Sequence, residues 1–181
     1  MLRPFLLAIF ALLAGLLLWV GLQPAKFHVE RSTVINAEPA AVYANVNDLS
    51  KWEAWSPWAK RDPNAKSVFE GPPSGPGAIM RWDGNDEVGK GALAITEVVP
   101  SEVVRIRLDF VRPFESTSDV GFTFKREGDG TRVTWTLDGA QGFVERLMCT
   151  VLRLDMDQMI GADYQAGLTA LKSLVEKQAP S

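Results

Sequence analysis

One cysteine and one histidine are all that 181 residues carry of the two side chains behind most disulfides, zinc sites and nucleophile–base pairs. Cys149 alone closes no intrachain disulfide, and its presence leaves the redox compartment open. His28 is the lone imidazole, so zinc lacks its usual ligand set. Ser-His-Asp or Cys-His chemistry would have to run through His28 itself, beside the N-terminal apolar segment. Basic charge is scarce too. After residue 22 there are 18 bases against 22 acids, a formal charge of −4. No stretch gathers those bases into the face that phosphate neutralisation requires. No metal, cofactor or nucleic-acid partner is expected.

Charge is missing altogether from Phe5 to Leu22, a run of 18 residues. As a helix it would reach roughly 27 Å, against a hydrocarbon core of about 30 Å. Trp19 lies near its end, where an indole suits the headgroup region. The competing reading is a cleavable signal, whose apolar region usually runs only about 7–15 residues. The exit reads Gly21-Leu22-Gln23-Pro24-Ala25, with Gln23 where a cleavage site wants a small residue. The expectation is therefore a single-pass membrane protein. Residues 1–26 form its transmembrane anchor or signal segment, 27–177 its folded domain and 178–181 a frayed tail. The short N-terminal tail favours a domain outside the cytoplasm, although Arg3 before the run and Lys26 and Arg31 after it nearly balance. The remaining 159 or so residues suffice for one core without disulfide or metal, in a monomeric domain.

Within that domain the apolar period changes twice. Phe27 to Ile35 is strand-like, and Pro39 suits the first position of a helix carrying Val42, Val46 and Leu49 on one face. Prolines and glycines from Pro63 to Gly77 allow only a short strand around Val68. Leu93 to Val99, Val104 to Phe110, Val120 to Phe124 and Val133 to Leu137 then read as strands, most of them alternating with period two. Glu127-Gly128-Asp129-Gly130 is a hairpin turn, which makes its strands antiparallel. From about Met156 the period is helical again, with Ile160, Tyr164, Leu168, Leu171 and Val175 on one face. Gly161 and Gly167 weaken that helix by about 1 kcal/mol each relative to alanine. Their use would be to let another surface approach closely.

Strand, helix, antiparallel strands and a long terminal helix, in that order, resemble the helix-grip fold of the START-like (SRPBCC) superfamily. Trp52-Glu53-Ala54-Trp55-Ser56-Pro57-Trp58 is similar to the W-x-x-W-S-P-W segment of its polyketide cyclase/dehydrase-like members. Gly71 to Gly77, Trp82 with Gly84, and Gly128 to Trp135 fall where that family carries similar runs. The resemblance spans roughly Phe27 to Glu176. It implies an α+β fold, a curved antiparallel sheet around a long C-terminal helix, here preceded by one transmembrane helix. It also implies a hydrophobic cavity between sheet and helix as the site. It does not choose among lipid carriers, cyclases and chaperone partners, all of which use this fold.

Trp55, Trp82, Phe110, Trp135, Met156, Ile160 and Tyr164 are the candidate lining of such a cavity. Aromatic walls and pliable methionine suit varied apolar ligands, and Tyr164 adds one polar handle. Each also has a plain reading as core, and Trp52, Trp55 and Trp58 at three-residue spacing suit an anchored helix–strand junction. Gly84 to Gly91 nearly spells a phosphate-binding loop. Gly91 stands where Ser or Thr would hold magnesium, and a strand follows where a helix is required. Asp155 and Asp157 suit a helix start. Membrane-held binding of a small hydrophobic ligand or lipid is the first function expected. A cyclase or dehydratase using Tyr164 and Arg107 is the second, and a protein-interaction module with an exposed apolar patch the third.

Overall fold

The computed structural model describes residues 2–178, and in it the alternating segments pair into one antiparallel sheet of seven strands. These are β1 (Lys26–Ile35), β2 (Lys66–Glu70), β3 (Ile79–Asp83), β4 (Lys90–Val99), β5 (Val103–Arg112), β6 (Ser116–Glu127) and β7 (Gly130–Ala140). Their spatial order is β1-β7-β6-β5-β4-β3-β2. Gly128 takes φ 58° in the two-residue β6–β7 turn, a left-handed conformation that glycine adopts without Cβ strain. The near-miss phosphate loop is a strand–loop–strand connection between β3 and β4.

Because side chains alternate, each strand contributes one set to the concave face. Val29 and Ile35 of β1 join Val133, Trp135 and Leu137 of β7, Val120, Phe122 and Phe124 of β6, and Val104 and Ile106 of β5, all buried. Helix α4 (Met156–Gln178) lies across this face and buries Tyr164, Leu168, Leu171 and Val175, the face read from the sequence. Asp155 begins it, its carboxylate accepting from the N–H groups of Asp157 (2.9 Å) and Gln158 (3.3 Å). The two glycines allow the close approach expected of them. A Cβ on Gly167 would stand 2.7 Å from the Trp135 ring, and one on Gly161 2.0 Å from the Arg31 guanidinium. That guanidinium donates to both carboxylate oxygens of Asp157 at 3.0 Å, which holds Asp157 below the usual carboxylate range. Helix α2 (Pro39–Val46) starts on its proline as anticipated.

Two features differ from the sequence reading. The apolar N-terminus is a helix, α1 (Leu2–Leu22), but among the described residues no helix is long and apolar enough to cross a membrane. The expected transmembrane helix is therefore, on the structure alone, an apolar helix. Secondly, a further helix, α3 (Phe143–Leu152), stands between β7 and α4 and packs against α1. Of the frayed tail, residues 179–181 lie outside the described residues.

Candidate apolar-ligand site

The concave face has a closed end and an open end. At the closed end the tryptophan-rich segment forms a 3-10 turn (Leu49–Ala54) whose indoles do two jobs. Their rings enter the core, and their N–H groups donate to carbonyls near the end of α2, Trp52 to Val46 O (2.9 Å) and Trp55 to Asn45 O (3.2 Å). Carbonyls at a helix C-terminus lack partners within the helix, so the three-residue spacing serves fold and polar satisfaction at once. Inside, Trp135 stacks on Tyr164 with ring centroids 3.8 Å apart and on Phe122 at 4.8 Å. Trp52, Trp55 and Trp58 meet Trp135 edge-on at 6.0, 5.6 and 6.0 Å. Burial pushes the Tyr164 hydroxyl far above the ordinary phenol range, so it stays protonated. The Trp135 indole N–H makes no well-formed hydrogen bond, though its nearness to that hydroxyl offsets a little of the shift.

At the other end the same face is half covered. Register places Phe27 opposite Gly139, Gly139 opposite Ser118, Ser118 opposite Leu108 and Leu108 opposite Leu93, with Met80 beyond. Of these only Leu93 is buried; the others keep intermediate exposure. One step further out Phe110 pairs with Gly91, and Trp82 with the same glycine from the other side. Trp82 lies across β4 because Gly91 lacks a side chain, for a Cβ there would be 2.5 Å from the indole. Its N–H donates to Val88 O (3.0 Å), and its ring meets Phe110 edge-on at 5.4 Å. At the rim, Asp83 accepts from Lys90 (2.7 Å) and Arg112 (2.8 Å), which hold its carboxyl below the usual range.

The seven candidates thus divide. Trp55, Trp135 and Tyr164 are 0–2% exposed and belong to the closed aromatic core. Trp82 and Phe110 are in contact at the open end, and Met156 and Ile160 are half-buried at the start of α4. Met159 faces solvent. The sequence reading missed Phe27, Met80, Ser118 and Gly139, which only strand register brings together. Arg107 points from the convex face, paired with Asp109 at 2.8 Å, whereas Tyr164 lies on the concave side, so the two do not converge on one substrate. One concavity of about 410 Å³ also lies on the convex face, among Thr96, Arg105, Asp119, Thr136 and Asp138. Another of about 420 Å³ adjoins Phe110, with Asp109, Glu115, Ser116 and Thr117.

Comparison with known proteins fits this architecture. A family described as "polyketide cyclase / dehydrase and lipid transport" matches residues 26–176. A solved protein from Thermus thermophilus is 20% identical with a TM-score of 0.62, over 85% of this chain and all of that one. The Zhui aromatase/cyclase of a Streptomyces species is 13% identical with a TM-score of 0.61, over 86% and 97% of the two chains. An Aha1 dimer from Colwellia psychrerythraea is 15% identical with a TM-score of 0.57, over 83% and 96%. At these identities the likeness is one of fold. No curated protein matches.

Proposed function

Because the chain belongs to the polyketide cyclase/dehydrase and lipid-transport family, we propose that it binds a small apolar molecule at the open end of its concave face while α1 holds it in a membrane. The observation that carries this reading is the incomplete burial of Phe27, Met80, Trp82, Leu108 and Phe110 on a face whose other end is closed. Apolar side chains left half-covered beside small residues, here Gly91, Ser118 and Gly139, form a groove an acyl or polycyclic ligand can complete. Leu6, Leu7, Phe10, Leu12, Leu18 and Leu22 of α1 are all more than half exposed and lie around the whole helix. A helix that is apolar all round and not enclosed by protein is satisfied by acyl chains. The helix runs 21 residues in all, roughly 31 Å, with Arg3 at its start able to reach headgroups.

The test is a titration of the full-length protein in detergent with an environment-sensitive fatty-acid probe. Saturable binding is expected, with Trp82→Ala and Phe110→Ala each weakening it about tenfold, equivalent to about 1.4 kcal/mol. Binding that neither substitution alters, or none beyond the micelle background, would overturn the reading. A cyclase or dehydratase is less well supported, since its two named polar groups, Tyr164 and Arg107, lie on opposite faces of the sheet.

A further inference from the structure

Helix α3 is built inside out. Its polar side chains Glu145, Arg146 and Thr150 are half-buried, together with Leu147 and Cys149, and Glu145 accepts from Gly142 N at 2.8 Å. Most of its apolar side chains face outward, with Phe143, Val144, Met148, Val151 and Leu152 between 41% and 60% exposed. Leu154 just beyond it and Met159 at the start of α4 are exposed to a similar degree. No charged residue interrupts the outer face from Phe143 to Leu152, and no residue of the helix is buried. Such a surface against water is unfavourable, so a partner of apolar character is implied.

The covered face identifies the partner. Arg146 donates to two carbonyls at the end of α1, Val20 O (3.3 Å) and Gln23 O (2.6 Å), and Thr150 donates to Gln23 Oε1 (3.3 Å). A guanidinium on the last carbonyls of a helix also complements its dipole. The covered face of α3 is thereby fixed against the C-terminal end of α1, where Trp19 is 57% exposed. Gln141 N donates to Ala25 O (2.8 Å), tying the same junction to the strand ends that carry Phe27 and Gly139. The apolar helix α1 and the outward apolar face of α3 therefore meet at one junction, from which the strand ends carrying Phe27 and Gly139 depart.

We infer that α3 is a second membrane contact, a helix lying in the plane of the bilayer interface and joined to α1 through Arg146, so that the groove opens toward lipid. This rests on the reading of α1 as a membrane helix. An amphipathic helix in the interface buries its apolar face by about 5–10 Å. Arg153, exposed at its C-terminus, is placed to meet headgroup phosphates.

The full chain carrying Cys149→Ser is given single cysteines at Leu13, Val144, Val151 or Lys125, labelled with an environment-sensitive dye and reconstituted in phosphatidylcholine/phosphatidylglycerol vesicles. Spin-labelled lipids then report depth. Labels at 144 and 151 are expected to shift to the blue and to be quenched at least twofold more by a shallow spin label than by a deep one. The label at 13 should be quenched by the deep one, and that at 125, at the far end of β6, by neither. Aqueous exposure at 144 and 151 with deep quenching at 13 would overturn the inference and leave the anchor standing. Aqueous exposure at 13 as well would overturn both. Shielding from aqueous iodide at 144 and 151 without quenching by either lipid would mean that a protein surface covers α3, and that too would overturn it.

Discussion

The two ends of the concave face are made from the same strands, yet one is packed with rings and the other is left half-open. At the closed end four tryptophans, a tyrosine and two phenylalanines fill the space between sheet, α2 and α4, with ring centroids mostly 4–6 Å apart. At the open end the inward positions set small residues, Gly139, Ser118 and Gly91, beside large ones, Phe27, Leu108 and Trp82, and of the six only Gly91 is buried. The contrast assigns stability to one end and exchange to the other. A domain of this size gains most of its margin from complete burial, and a ligand groove is by nature incomplete burial.

The largest effect should come from cutting into the closed end. Trp135→Ala removes the ring on which Tyr164 and Phe122 stack and should cost about 3–5 kcal/mol. Trp82→Ala removes a ring of the same size that is only half covered, and about 1–2 kcal/mol is expected. Thermal melts of the two variants measure the comparison directly. Equal losses would mean that the open end is ordinary core and that no groove is held in reserve there.

A smaller effect tests how tightly α4 is seated. Gly167→Ala places a methyl 2.7 Å from the Trp135 ring and 3.1 Å from Pro57. The ring has no room to move, because Trp135 is wedged among Trp52, Trp55 and Phe122. The strain should be about 1–3 kcal/mol, partly offset by about 1 kcal/mol of helix propensity. A net loss of up to about 2 kcal/mol on denaturant unfolding is expected. A gain in stability would show that α4 shifts along the sheet without cost.

The sequence made most of this architecture legible, because alternation and helical spacing are local. Val104 to Phe110, the Gly128 turn and the Ile160-to-Val175 face appear where their periods put them. What it could not supply was register. Nothing local tells that Phe27 and Gly139 are neighbours, 112 positions apart in the chain, or that Gly91 is vacant so that Trp82 can lie over it. The aromatic stripe was legible as apolar but not as open or closed, since core and groove use the same residue types. Helix α3 escaped for the opposite reason. Its apolar residues follow a helical period, but they face away from the protein, and a pattern read as a core face suggests no such inversion. A basic residue among apolar ones, Arg146, was the available signal, and it became meaningful only with the carbonyls of α1 beside it.

The smallest effect lies on the convex face, outside both ends. His28 Nδ1 is 2.7 Å from Asp138 Oδ1, and Glu30 Oε2 is 3.7 Å from Nε2. The hydrogen bond to Asp138, more than the charges of either carboxylate, raises the imidazole above its ordinary value of 6.5. A folded-state pKa above the unfolded one stabilises fully below about pH 6.5, where both states are protonated, and the gain disappears as pH rises through the folded value. Both partners are more than half exposed, so water and salt screen the pair and no more than about 0.5 kcal/mol is expected. For a domain of this length that corresponds to about 1–2 °C in Tm. The Tm of the parent should therefore fall by that much more between about pH 6 and about pH 8 than that of His28→Gln, and 1 M salt should erase the difference. A fall of the same size in both proteins would place the titration elsewhere and reduce the His28–Asp138 contact to a surface pair that contributes nothing measurable.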